Sequence, residues 1–540
     1  MKPEAALIIE KGKPLDDSVL WSWIQHYYAQ GGVAVWSDGD IPFHITNTPI
    51  LAAEWARSVF ALARDLWNQG ELDHNQPVEV FELGPGTGRH AFYLLRELKR
   101  LEPLTRAICP QGLRFRVHLA ELGASGLDSL SQHPNFQEAF AQGDLVLHQF
   151  DITRDDKPKH YFPPGATLGF PSANPVFVVC NYLLDSLPHD VIRVGDGVAR
   201  LGHTKLSVQN LKKGQEPTQL SDLGERIRLT FSFPKRRAVY PQQHWNQILR
   251  HYERLVGETH IPFPTKALQL AERARSWSET AAVFLVADKS FTSMAQLIDL
   301  EEPELVPHGG GFSFNANLHA FGYLAQQLGG KVNHTPSRDG TLDLSHVVFP
   351  ANGRESNDWS YLETDFLLEE LERFHAVDRF RTKESVDEAG GEVSLRLALD
   401  LLRLTGFDPQ VLYELSDDIL KGLEGEDEEL PEMEDELFDV LPRVLPLVFP
   451  LPDEVDAAFE IGRIAYRLEH YELARKAFSL SLEHYGEDPR TYFNLGLTWY
   501  YRNTYKRAVE EFERALHIDP DYEEAQKWIE KAKSKLVTAL

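Results

Sequence analysis

The stretch Pro77-Val-Glu-Val-Phe-Glu-Leu-Gly-Pro-Gly-Thr-Gly-Arg-His90, running on into Ala91-Phe-Tyr-Leu-Leu-Arg-Glu-Leu-Lys99, decides the fold. Val78, Val80, Phe81 and Leu83 read as a short buried strand, and Phe92, Leu94, Leu95 and Leu98 recur at helical spacing. Between them Gly84, Gly86 and Gly88 turn the backbone sharply and let it approach a ligand, because no Cβ stands in the way. Strand, glycine turn and helix in this order are the plan of a nucleotide-type cofactor site.

Glu82, two residues before the first glycine, narrows that reading. The pattern Glu-x-Gly-x-Gly-x-Gly resembles motif I of the class I S-adenosylmethionine (SAM) methyltransferases. The resemblance implies a Glu82 carboxylate meeting the cationic amino group of the methionine part of SAM. A pyrophosphate cofactor would be repelled there.

Composition sets the frame. A length of 540 residues with 42% hydrophobic side chains allows several folded domains. No run of 18 uncharged apolar residues occurs, so membrane insertion is not expected. The first ten residues have too short an apolar run for a signal peptide and too much acid for a mitochondrial transit sequence. The two cysteines, Cys109 and Cys180, exclude a disulfide framework or a thiolate metal cluster and suit a reducing, cytoplasmic location. The net charge of −27 disfavours nucleic acid as a partner; it suits a basic protein partner or a soluble acidic protein of no special preference.

Before the glycine motif, residues 1–69 read as a helical N-terminal cover packed on the sheet. One helix lies in 15–36, with Leu20, Trp21, Ile24 and Tyr27 or Tyr28 on one side; a polar turn follows at 37–40. A second, about 50–69, carries Leu51, Trp55, Val59, Leu62 and Leu66 as an apolar stripe. After the motif, Leu113–Leu122 alternates as a second strand and brings Glu121 to its end. An acidic residue at that place accepts two hydrogen bonds from ribose hydroxyls, the alternative being an ordinary strand-end carboxylate. The third strand, Leu145–Gln149, leads to Asp151 at the edge that borders adenine in this architecture.

The fourth strand, Val176–Cys180, is an unbroken apolar run, as a strand buried on both faces requires. It delivers Asn181, Tyr182 and Asp185 to the carboxyl edge of the sheet, where catalytic groups lie in open α/β folds. Asn181, Tyr182 and Asp185 are therefore the candidate catalytic group; no metal is required. Residues 189–280 read as an insertion of hairpin strands and two helices, of the kind that builds a substrate lid. Its basic Lys235-Arg-Arg237 reads as a solvated turn or a contact for an acidic substrate. Ala282–Ala287 is the fifth strand, Val332 and Leu342–Phe349 the terminal antiparallel pair, and Gly309, Gly310 and Gly311 a loop near the cleft. The fold class is thus α/β: a Rossmann-like seven-stranded core over 70–350 with an insertion, followed by an all-α region.

Residues 351–450 are helical and contain an acidic run, Glu424–Glu436, read as a solvated linker with a tail for a basic partner as the alternative. From 451 onward a repeat appears. Gly462 and Gly496, Tyr471 and Tyr505, Ala474 and Ala508, Phe478 and Phe512, and Leu482 and Leu516 stand 34 apart, the tetratricopeptide period. Small residues let paired helices approach and aromatic ones fill the space between turns. Two repeats and a closing helix fall short of a free-standing array, so the helices before 450 are expected to add a layer. Such a module recruits a protein partner or substrate; a helical cap that binds nothing is the other reading.

Asp40-Ile-Pro-Phe with Thr46-Asn-Thr-Pro49, the Glu82–Arg89 motif, Asn181-Tyr-Leu-Leu-Asp-Ser-Leu-Pro188 and Phe312-Ser-Phe-Asn-Ala-Asn-Leu318, in that order, resemble the MidA family of SAM-dependent methyltransferases over about residues 20–350. The resemblance implies SAM as cofactor, with Glu82, Gly84, Gly86, Gly88, Glu121, Asp151 and Asn181 around it, and a protein side chain, arginine included, as acceptor. Mitochondrial relatives methylate an arginine of a subunit in respiratory complex I assembly. This chain departs from the family at Tyr182, where the family has glutamate, and a tyrosine cannot give a guanidinium the same charged bidentate pairing. A small-molecule methyltransferase and a SAM-fold scaffold without catalysis are the alternatives.

Overall fold

The computed structural model describes residues 6–31, 45–107, 109–165, 169–209, 226–255, 257–305, 307–308, 311–335, 342–355, 359–425, 429–451 and 454–538. The polar turn at 37–40, the Asp40–Phe43 element, and Gly309 and Gly310 lie outside them. The chain forms two compact units, Met1–Asn47 with Leu51–His375, and Thr48–Ile50 with Ala376–Leu540.

The first unit is built on one eight-stranded sheet. Its strands are β1 (Val78–Leu83), β2 (Phe115–Glu121), β3 (Leu145–Gln149), β4 (Lys159–Phe162), β5 (Val176–Asn181), β6 (Ala281–Asp288), β7 (Lys331–His334) and β8 (Asp343–Pro350). They lie in the order β7-β8-β6-β5-β1-β2-β3-β4. β1, β2, β3, β5 and β6 are parallel to their neighbours within that set, while β8 runs antiparallel to β6 and β7. This is the Rossmann-like core expected from the sequence, with one addition: β4, an exposed four-residue strand, pairs antiparallel with β3 and makes an eighth. Its Lys-His-Tyr-Phe sequence has no apolar alternation to announce it.

Why these segments become central strands is plain in their burial. Every residue of β1, β6 and β8 is buried, and β5 is buried up to Asn181. From β1 the chain steps outward to β2 and β3, then returns to the other side of β1 for β5 and β6. The order therefore reverses between β1 and β5, which opens a crevice at their carboxyl ends. The helix Thr265–Ala274, read from sequence within the insertion, packs Leu268, Ala271 and Ala274 on the same core as Val178 and Phe284. It is the crossover between β5 and β6.

The N-terminal residues hold a strand that the sequence did not reveal. Ala6–Pro14 pairs antiparallel with the insertion strand His203–Gln209, which pairs in turn with Ile227–Ser232. Two register shifts, at Ile8/Glu10 and Lys11/Lys13, break the alternation that would have betrayed it. The helix expected in 15–36 spans Val19–Gly31 among the described residues, and the next runs Pro49–Asn68.

The second unit is helical. Ala457–Arg467 with Tyr471–Tyr485, and Pro489–Tyr501 with Tyr505–Ile518, form the two 34-residue pairs, closed by Glu523–Thr538. Leu395–Leu404, Pro409–Gly422 and Leu430–Val444 share one apolar core with the first pair, supplying the expected extra layer. The acidic run is not wholly a linker: from Leu430 it is helix, with Met433 and Leu437 buried. In each repeat a Cβ on the glycine would lie 2.5 Å from a ring atom, Gly462 against Phe478 and Gly496 against Phe512. Gly496→Ala should therefore destabilise this unit by about 1–3 kcal/mol through overpacking, against the ~1 kcal/mol that alanine ordinarily gains over glycine within a helix. Urea unfolding followed by circular dichroism reads the sign directly.

Candidate functional site

The glycine turn sits at the crevice. Gly84, Gly86 and Gly88 have φ of 65°, 53° and 82°, the left-handed region that side chains with a Cβ avoid. The turn is tied down by Gly84 N–H donating to Ala120 O (2.9 Å) and Gly88 N–H to Pro85 O (2.9 Å). The following helix, Arg89–Leu101, starts at Gly88, and its His90 N–H donates to Asn47 Oδ1 (3.3 Å).

A cleft with about 1020 Å³ of empty space opens above this edge. Its floor comes from the ends of four parallel strands: Gly84 and Gly86 after β1, Ala120–Gly123 after β2, Phe150–Thr153 after β3, and Tyr182, Leu183, Ser186, Leu187 and Pro188 after β5. Its roof is the Val19–Gly31 helix, through Trp21, Ile24, Gln25 and Tyr28. Glu10 accepts from Val19 N–H (3.1 Å) and from Ser18 Oγ, placing a carboxylate at the start of that helix. Gln25 Nε2 reaches Thr153 Oγ1 across the opening (3.4 Å). Among the described lining residues the only charged groups are two acids, Glu121 and Asp151. Such a wall favours a neutral or cationic ligand over a polyphosphate.

The residues singled out from sequence divide into two sets. Gly84, Gly86, Glu121, Asp151 and Tyr182 line the cleft; Glu82, Gly88, Asn181 and Asp185 stand behind it. Glu121 Oε1 accepts from Leu122 N–H (2.7 Å) and Gly123 N–H (3.4 Å); burial raises its carboxyl above the usual range, and those two amides oppose the rise. Gly126, opening the next helix, faces it: a Cβ there would lie 3.1 Å from Glu121 Cγ. Asp151 Oδ1 is occupied by Thr153, through its N–H (2.9 Å) and Oγ1 (2.6 Å).

Glu82 is buried in β1, with Oε1 3.1 Å from His90 Nδ1, while Oε2 has no hydrogen-bond partner among the described residues. Asn181 is likewise half-satisfied: Trp55 Nε1 donates to its Oδ1 (3.2 Å), and its Nδ2 has no partner among the described residues. Buried polar atoms are seldom left so, and each marks a place where a further group can bind. Tyr182 holds φ 46°. Asp185 is buried and receives Ser186 Oγ–H (2.9 Å); burial pushes its carboxyl up to about 6.

No family model matches this chain, and no curated protein matches it. Solved structures do. A Burkholderia thailandensis protein with S-adenosyl-homocysteine bound is similar at 15% identity, over 60% of this chain and 74% of that one, with a TM-score of 0.36. An O-methyltransferase family protein from the same organism shows 11% identity over 55% and 60% of the two chains, TM-score 0.23. MamA from Desulfovibrio magneticus shows 19% identity over 27% of this chain and 80% of its own, TM-score 0.19. The likeness to the S-adenosyl-homocysteine-bound protein falls on the N-terminal part and that to MamA on the C-terminal part.

The sequence gives the N-terminal helices as a cover without saying what they cover. The spacing of Trp21, Ile24 and Tyr28 gave their shared face, but not that the face looks onto a cleft. Nor does the insertion form the lid directly: none of its described residues from 190 to 280 lines the cleft. Its Leu206, Val208, Ile227 and Leu229 instead share a core with Trp21 and Ile24, backing the roof. In Lys235-Arg-Arg237, Arg237 pairs with Glu253 (3.2 Å) away from the lining. The tightest point of the site is Gly88, where a Cβ would stand 2.6 Å from Leu130 Cδ2 and 3.0 Å from Phe136. Gly88→Ala should destabilise the first unit by about 2–4 kcal/mol, left-handed strain adding to the clash, read as a lowered melting temperature.

Proposed function

We propose that the first unit is a SAM-dependent methyltransferase acting on a protein side chain, and that the tetratricopeptide module recruits the partner or substrate. The observation that carries the cofactor reading is the glycine-floored cleft at the strand reversal, whose only charged lining groups among the described residues are Glu121 and Asp151. SAM is a cation with a ribose, and this wall suits both features. The unpartnered Glu82 Oε2 and Asn181 Nδ2 fit a ligand that brings a donor and an acceptor.

Gly84, Gly86 and Gly88 would hold it by backbone approach, Glu82 and Asn181 by those free atoms, Glu121 at the ribose and Asp151 at the adenine edge. When bound, the cofactor supplies a methyl group on a sulfonium. The chain's own part is alignment and proton handling. Trp21 and Ile24 exclude water from above. Tyr182 lines the acceptor side, and Asp185, whose carboxyl burial pushes above the usual range, is the group able to take a proton through Ser186. An arginine acceptor would meet the Tyr182 phenol where the MidA family offers a carboxylate. The apolar Trp21, Ile24, Leu183, Leu187 and Pro188 around the same opening favour, as the second reading, a small uncharged acceptor.

Calorimetry with SAM and S-adenosyl-homocysteine tests the cofactor. Glu121→Ala should weaken binding about 10- to 100-fold, the worth of one or two charge-assisted hydrogen bonds, and Gly86→Val should abolish it; a protein that binds neither ligand overturns the proposal. Transfer of labelled methyl from SAM in lysate, followed by mass spectrometry, separates protein from low-mass acceptors.

The pH dependence has a definite sign. Ribose hydroxyls donate to the ionised Glu121, whose carboxyl burial raises in the free protein. Affinity should therefore rise as pH rises through that titration, with proton release on binding. Calorimetry in two buffers of different ionisation enthalpy measures the release.

A further inference from the structure

Asp288, the last residue of β6, does not line the cleft. It is fully buried, and its Oδ2 accepts three successive backbone amides: Leu183 (3.2 Å), Leu184 (2.7 Å) and Asp185 (3.2 Å). The amide just before them, Tyr182 N–H, donates to Ala287 O (2.9 Å). Four consecutive N–H groups of the loop after β5 thus end on two adjacent residues of β6. Three amides converging on one oxygen form a concave anion-type seat that fixes the backbone through that stretch.

What the seat fixes is a quarter of the cleft. The loop presents Tyr182, Leu183, Ser186, Leu187 and Pro188 to the opening. Tyr182 holds its left-handed φ of 46°, a conformation that a tyrosine keeps only where its surroundings over-determine it. Leu183 Cδ1 lies 3.2 Å from where a Cβ on Gly84 would stand, so the same loop closes against the glycine turn. On its far side, Asp185 O accepts from Phe314 N–H (3.2 Å).

We propose that Asp288 is a positioning residue: by accepting the amides of Leu183, Leu184 and Asp185 it sets the loop that carries Tyr182 and Ser186 into the cleft, and hydrogen-bond acceptance rather than negative charge is what it contributes. Burial and the nearby Asp185 push the Asp288 carboxyl well above the usual range, with the three amides opposing. An asparagine carbonyl oxygen at this position can take the same three amides; alanine cannot. The effect on ligand binding rests on the cofactor reading above, whereas the effect on the loop does not.

The test therefore has two arms, hydrogen exchange over residues 182–187 and calorimetry with S-adenosyl-homocysteine, on the full chain. In the wild-type protein the three amides should exchange slowly. Asp288→Ala should speed their exchange by about 100-fold or more, as expected when a local opening replaces a fixed contact, and weaken S-adenosyl-homocysteine at least about 10-fold. Asp288→Asn should keep both within about three-fold of wild type. Unchanged exchange in the alanine variant, or an asparagine variant as impaired as alanine, overturns the proposal. Should the alanine variant fail to fold, fast exchange of these amides in the wild-type protein, or in the asparagine variant alone, overturns it equally. A wild-type protein that binds no S-adenosyl-homocysteine removes the cofactor reading, and the exchange arm still decides the role of Asp288.

Discussion

Three left-handed residues within five positions tie the first unit together. Gly84, Gly86 and Gly88 take the chain out of a fully buried strand and into a helix whose start is itself buried, with no room for a side chain at Gly88. A wider turn would lift the helix from the sheet and fill the crevice with backbone. The later contacts presuppose this one: Leu183 closes against Gly84, Ala120 O accepts from Gly84 N–H, and the roof spans the space left open. The crevice exists because three of the five residues between β1 and its helix add nothing beyond the main chain.

Much of this was legible in the sequence, and the reason is the same in each case. β1, β5 and β6 are buried on both faces, so their residues had to be mostly apolar; the glycines had to be glycines; the 34-residue repeat had to place Gly462 against Phe478 and Gly496 against Phe512. Local necessity leaves a local signature. What escaped was settled by partners far away in the chain. The Ala6–Pro14 strand is defined by residues 203–209. β4 exists because β3 offers a free edge. Trp21 and Tyr28 face a cleft made by four other segments. Tyr182 lines the cleft while its neighbours Asn181 and Asp185 do not, a choice made by the backbone angles at the end of β5 and in the loop after it, which residue order does not reveal.

The polar chemistry of the site is arranged in depth. Glu121 and Asp151 lie at the surface of the cleft, and behind them Glu82, Asp185 and Asp288 are buried with amides, a serine and a histidine as their partners. Buried carboxyls without a full ion pair cost stability, and such cost tends to persist where it holds a functional arrangement. Here the hidden carboxyls organise backbone: Glu10 starts the roof helix and Asp288 gathers the loop after β5.

The pairing of Ala6–Pro14 with His203–Gln209 also sets an order of events during synthesis. Once made, Ala6–Pro14 waits for its partner until some 200 further residues have followed, roughly 10–40 s at ordinary elongation rates. The β1–glycine–helix unit and its parallel neighbours are complete well before then. The roof, held at its base by that strand pair, is consequently put in place only after the glycine turn and its first parallel neighbours have been made. A nascent chain halted between Pro188 and residue 203 would carry the glycine turn and the ends of β1, β2, β3 and β5, but neither Asp288, which holds the loop after β5, nor the strand pair behind the roof.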